Sequence, residues 1–120
     1  MVEHHLEFVH MPLFERTRKN VLNDEEVHAV ENQLLANPAA GVILRDTGGV
    51  RKLRAALENR GKRGSVRIVY YYPRQRDTIY FILAFAKNVQ ASLTPAQRRI
   101  VRELVAAIEA EAWPPSGPRH

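Results

Sequence analysis

Residues 50–86 constrain this chain more than any other stretch, because three strand signals follow one another there with links too short for a crossover. The apolar, β-branched and aromatic runs at residues 50–57, 65–72 and 78–86 are joined by Glu58-Asn59-Arg60-Gly61-Lys62-Arg63-Gly64 and by a proline-led polar turn over residues 73–77. Parallel neighbours need a connection of about a dozen residues or more. These three strands are therefore predicted to pair antiparallel, as a meander.

The flanking sequence supplies the other layer. Residues 4–10 read as a short strand with Leu6 and Phe8 on one face. Pro12 suits the first position of a short helix anchored by Leu13 and Phe14. Asn23-Asp24-Glu25-Glu26 places a capping residue three positions before an acid, and Val27, Val30, Leu34 and Leu35 follow as a buried stripe. Asn37-Pro38 ends that helix. Thr94-Pro95-Ala96-Gln97 opens another, with Ile100, Val101, Leu104, Val105 and Ile108 at helical spacing. The prediction is an α+β domain: an N-terminal strand and two helices, a three-stranded antiparallel meander, and a C-terminal helix. Its helices are expected on one face of the sheet, leaving the other free for function. One domain is expected over residues 1–112, followed by a flexible proline-rich tail at 113–120.

The chain has no cysteine, which excludes disulfides and thiolate-built zinc sites. Its longest apolar stretch, residues 79–86 with Tyr80 inside it, is too short to span a bilayer. The N-terminus lacks the basic-then-apolar pattern of a signal peptide, so a cytoplasmic protein with no membrane partner is expected. The net charge of +5 is unevenly spread. Residues 1–47 balance at −4 and residues 48–88 at +8, so the positive field is concentrated on the predicted meander. A field of that kind suits a polyanion such as RNA.

Strand alternation gives the cations an arrangement. Leu53, Ala55 and Leu57 fall on one face of the first meander strand, and Lys52 and Arg54 on the other with Val50. Cations side by side repel unless an anion lies over them. Arg67 on the next strand and Lys87 at the end of the third extend the set, as do Arg51, Arg60, Lys62 and Arg63, with Tyr71 as a surface on which an unpaired base can stack. Gly61-Lys62-Arg63-Gly64 is not the KH-domain loop, which joins helices, and no Walker spacing precedes Lys62. His4, His5 and His10 lack the carboxylate or cysteine cluster of a metal site, so neither metal nor cofactor is expected. All five histidines lie outside the basic block, which argues against a histidine-pair ribonuclease.

Three ordered segments carry a family resemblance. Thr47-Gly48-Gly49-Val50-Arg51-Lys52-Leu53-Arg54 resembles the TGGxRKLR segment of RelE/HigB-family toxins. Arg60-Gly61-Lys62-Arg63-Gly64-Ser65-Val66-Arg67-Ile68-Val69-Tyr70-Tyr71 is similar to their GRGKRGGxRVIYY segment, and Phe85-Ala86-Lys87-Asn88 followed by Leu93-Thr94-Pro95 to their YAKNxxxxLTP stretch. The likeness runs from about Phe8 to Leu104. It implies the toxin of a type II toxin–antitoxin pair, an endoribonuclease that cuts mRNA in the ribosomal decoding site. It also implies an antitoxin from the neighbouring gene, often a helix-turn-helix DNA-binding protein. By matching positions, Lys52 and Arg54 supply the base and phosphate clamp, Arg67 stabilises the transition state, and Lys87 adds a contact. Asn88 stands where some relatives carry an arginine, as is ordinary in the HigB branch. A C-terminal tyrosine of some relatives has no counterpart beyond Trp113. Two other readings share these features: a ParE-like gyrase inhibitor, with the same fold and no nuclease activity, and a non-catalytic RNA-binding module.

Overall fold

In a computed structural model, which describes residues 5–58, 60 and 64–111, the order of elements is β1 (Glu7–His10), α1 (Pro12–Arg18), α2 (Asp24–Ala36), β2 (Val42–Ile43), β3 (Arg51–Arg54), β4 (Val66–Tyr71), β5 (Thr78–Ala86) and α3 (Pro95–Glu111). The predicted tail lies outside the described residues. The helix starts form as their sequences dictate. Asn23 accepts from the Glu26 amide at 2.8 Å while Glu26 accepts from the Asn23 amide at 3.0 Å. Thr94 and Gln97 make the same reciprocal pair.

The meander is present, with β3–β4 and β4–β5 antiparallel, but it is the centre of a larger sheet in the order β1-β5-β4-β3-β2. β1 pairs in parallel with β5, and the two-residue β2 adds an antiparallel edge to β3. β3 is shorter than the predicted residues 50–57. Beyond Arg54 the α2 side chain Gln33 takes over the backbone, donating to the Arg54 carbonyl at 3.2 Å and accepting from the Ala56 amide at 2.9 Å.

The helices occupy both faces of the sheet, which corrects the expectation of one free face. α1 and α2 enclose a cluster containing Phe14, Val27, Val30 and Leu34 against Leu53, Ile68, Ile79 and Phe81. Phe81 sits at its centre, with ring centroids of Phe14, His10 and Phe8 at 5.0, 5.3 and 5.6 Å. On the opposite face α3 sets Val101 and Val105 against Val50, Val69, Leu83 and Phe85. β5 is accordingly buried along its whole length, and a strand covered on both sides reads as a continuous apolar run rather than an alternating one. A bulge serves both layers. Val69 pairs with Leu83 and Tyr70 with Phe81, so Ile82 has no partner on β4 and joins Leu83 on the α3 side.

The turn between β2 and β3 is fixed to α3. Thr47 Oγ1 donates to the Leu44 carbonyl at 2.7 Å and accepts from the Val50 amide at 3.3 Å. Gly48 has φ +83°, and a Cβ there would stand 2.9 Å from a Val105 methyl. Only glycine combines that backbone with that close approach.

Candidate nucleic-acid interface

The register of β3 and β4 assembles the cations that alternation predicted. Arg54 lies directly opposite Arg67, and Lys52, opposite Val69, is two residues along the same face. That face is the one α3 occupies, yet the helix covers only part of it. Its buried contacts are with Val50, Val69, Ile82, Leu83 and Phe85, while Lys52 and Arg67 are half-buried and Arg54 is exposed. The three cations therefore stand beside the helix on the uncovered part of the sheet.

Two further residues complete this end of the sheet. Arg67 Nη1 donates to Ser65 Oγ at 3.1 Å. The Lys87 amide donates to the Ser65 carbonyl at 3.0 Å, which puts the start of the loop after β5 next to the same residue. Sequence reasoning missed Ser65, although its i, i+2 spacing from Arg67 was the signal, since such residues share a strand face.

The charge environment separates these cations from the rest. Among the described residues, no ion pair involves Lys52, Arg54, Arg67 or Lys87. Arg18 instead reaches Asp24 at 2.8 Å, Arg60 reaches Glu26 at 3.1 Å and Arg76 reaches Glu109 at 3.0 Å. An opposed Arg–Arg pair with no carboxylate nearby repels itself, and an anion over the sheet relieves that repulsion.

The other predicted contacts are not brought to this cluster. Arg51 faces the α1–α2 side and donates to the Ala39 and Gly41 carbonyls at 3.1 and 2.9 Å, pinning the loop before β2. Arg60 donates to Gly64 and Val21 carbonyls as well as to Glu26, and its side chain is only 8% exposed. Lys62 and Arg63 lie outside the described residues. Tyr71 is on the α3 face, but its hydroxyl donates to Glu109 of α3, which also accepts from Arg76. Burial, then the Glu109 carboxylate, pushes this phenol up to about 12, so it is protonated at neutral pH. Its contacts tie α3 to the sheet rather than present an open ring.

His4 lies outside the described residues, and His10 is engaged elsewhere in the fold. Its Nδ1 and Nε2 lie 3.1 and 2.8 Å from Glu15 and Glu31, on the α1–α2 side. No group of three or more His, Cys, Asp or Glu among the described residues is arranged to hold a metal. None of the described helices is long and apolar enough to cross a membrane.

What the arrangement can do is hold a phosphate. Two guanidinia and an ammonium share one face of adjacent strands, a fourth cation lies at the sheet end, and α3 packs on the neighbouring part of that face. A known protein family covers nearly the whole chain. Residues 8–112 match the family model described as RelE toxin of the RelE/RelB toxin–antitoxin system, a match that runs from the second residue of β1 through the end of α3. The chain thus belongs to the RelE toxin family, the toxin side of a toxin–antitoxin pair, with an antitoxin as its partner.

Proposed function

We propose that this toxin is an endoribonuclease that cuts messenger RNA bound to the ribosome, acting in the cytoplasm and inhibiting translation. The observation that carries the reading is the cluster of Lys52, Arg54 and Arg67 on one uncovered sheet face without a carboxylate partner among the described residues. Phosphoryl transfer needs cations placed in advance where negative charge develops. In the proposed reaction the 2′-oxygen of one nucleotide bonds to the adjacent phosphorus and the bond from phosphorus to the 5′-oxygen breaks. The products are a 2′,3′-cyclic phosphate and a free 5′-hydroxyl. Lys52 and Arg54 remove the 2′ proton and clamp the phosphate, Arg67 faces the pentacoordinate oxyanion, and Lys87 adds a contact at the sheet end.

The ribosome supplies what this site lacks. With no histidine in the cluster, proton transfer is weak, so the reaction depends on alignment. Holding the 2′-hydroxyl in line with the phosphate can remove roughly 7–11 kcal/mol of barrier. The antitoxin, expected from the adjacent gene, is proposed to lay acidic residues over Lys52, Arg54 and Arg67 or to block entry beside them.

The test is primer extension on mRNA from cells briefly expressing the protein, beside a gyrase supercoiling assay. The reading expects new mRNA 5′ ends that vanish with Arg67→Ala, and unchanged supercoiling. Intact mRNA with inhibited gyrase would establish the ParE-like alternative instead. RNA binding without new 5′ ends would leave a non-catalytic module.

A further inference from the structure

We propose that the first turns of α3 and the β2–β3 turn form a second RNA surface, one that grips the phosphate backbone of a double-helical RNA rather than the strand being cut. The inference rests on the reading that RNA is this protein's ligand. Arg98 Nη1 donates to the Arg45 carbonyl at 2.7 Å and Arg102 Nη1 to the Asp46 carbonyl at 3.1 Å. A neutral carbonyl occupies one of a guanidinium's five N–H groups and cancels none of its charge. Both side chains are thereby held in place with donors left over.

The two arginines stand one helical turn apart, about 6 Å along the axis, a separation suited to successive phosphates of one strand. Arg45 and Arg99 are exposed beside them. Two carboxylates share the surface, Asp46 and Glu103, and among the described residues neither pairs with an arginine. Four guanidinia against two carboxylates leave the surface cationic.

Its composition favours RNA over an acidic protein. The centre of a protein interface is apolar, but Val101 and Val105 of these turns are 0% and 5% exposed because they face the sheet, and the exposed Val42 and Ile43 lie on the β2 edge, before the turn that carries Arg45. Ile100, at 41% exposure, follows Arg98 by two residues and so lies about 200° round the helix. The composition also favours a duplex over a single strand. Single strands are gripped by stacking on aromatic rings, and the exposed large hydrophobics among the described residues include no aromatic side chain. Pre-positioned guanidinium forks suit the fixed phosphates of a helix. Because α3 also packs on the neighbouring part of the open sheet face, a strand on Lys52, Arg54 and Arg67 and a duplex on the rim can be held together.

The test measures binding of the full chain to a short RNA duplex of arbitrary sequence across a KCl series. Arg98→Gln/Arg102→Gln is expected to weaken binding on the order of tenfold and to flatten the log Kd–log[KCl] slope by about 1–2. Arg45→Gln/Arg99→Gln, whose side chains hold no loop carbonyl, is expected to act in the same direction without touching the fold. Lys52→Ala/Arg67→Ala is expected to leave duplex affinity within about twofold while abolishing mRNA cleavage. Wild-type affinity and slope in both rim variants would overturn the proposal. So would loss of duplex binding in the Lys52/Arg67 variant alone, or rim variants that lose only the antitoxin. If the wild type binds duplex through the rim but produces no new mRNA ends, the nuclease reading fails and the rim surface stands.

Discussion

On the α1–α2 side of the sheet, Arg60 is enclosed by Glu26 and two backbone carbonyls, and Arg51 by two more. On the α3 side, Arg54 faces Arg67 across the strand pair, with Lys52 two residues away and no carboxylate partner for any of them among the described residues. The same residue type thus does opposite things a few ångströms apart. Paired cations on the first side hold loops and helices to the sheet. Cations without a carboxylate on the second side cost the protein repulsion, which an anion over the sheet would relieve in the proposed function. Partners fixed by the fold, a carboxylate for Arg60 and two loop carbonyls for Arg51, mark the arginines that hold the structure, and Arg54, Arg67 and Lys52 have no such carboxylate.

That contrast can be broken most directly at Arg60. Arg60→Met removes the guanidinium that donates to both oxygens of the Glu26 carboxylate, which is 12% exposed. Breaking such a pair costs about 3–5 kcal/mol, so the thermal midpoint should fall on the order of 10 °C or more. If calorimetry shows the midpoint unmoved, Arg60 is not structural and belongs with the RNA contacts.

The mirror experiment is Arg67→Ala. It should lower the cleavage rate by on the order of 100-fold, about 3 kcal/mol of barrier, and relieve growth arrest at equal expression. Its melting midpoint should not fall, because relief of the repulsion with Arg54 offsets the lost hydrogen bond to Ser65. Full toxicity would remove Arg67 from the site.

Tyr71→Phe sharpens the comparison from the helix side. The Tyr71 phenol is pushed up from 10 to about 12 by burial and Glu109, so the folded state holds its proton more tightly than the unfolded state does. Stability from this group is therefore complete below about pH 10 and lost as pH rises from 10 towards 12. Urea titrations across that window should decline less steeply in Tyr71→Phe than in the wild type. Burial raises Tyr70 and Tyr80 in the same direction, so part of the decline should remain.

The smallest effect is the most discriminating in sign. Arg54→Gln removes one half of the opposed Arg–Arg pair and should raise stability by about 0.2–1 kcal/mol at low salt while reducing toxicity. A loss of stability would mean that Arg54 is held by an interaction of its own.

Sequence made the local features legible and left the non-local ones hidden. The capping boxes at Asn23 and Thr94 and the alternation that separates Lys52 and Arg54 from Leu53 depend on residues a few positions apart. The fates of Arg60 and Tyr71 depend on Glu26 and Glu109, 34 and 38 residues away, and no local pattern announces such partners. β2 has two residues, below the length at which alternation can be read. The place of α3 was recoverable in principle. Residues 79–86 are apolar without alternation, the signature of a strand covered on both faces rather than one.

The unpaired Ile82 gives β5 two reading frames spliced at one residue. Before the splice, Ile79 and Phe81 face α1 and α2; after it, Leu83 and Phe85 face α3 and Ala84 faces back. A deletion of Ile82 would heal the bulge: Leu83 would follow Phe81 directly, still face α3 and keep its pairing with Val69, at the loss of one fully buried side chain. Ile82 is thus a residue of packing rather than of register: it adds apolar bulk under α3 without deciding which way its neighbours point. The place of Lys87 beside the β3–β4 cations is set instead by the pairing of Val66 with Ala86 and of Arg67 with Phe85, on the far side of the bulge.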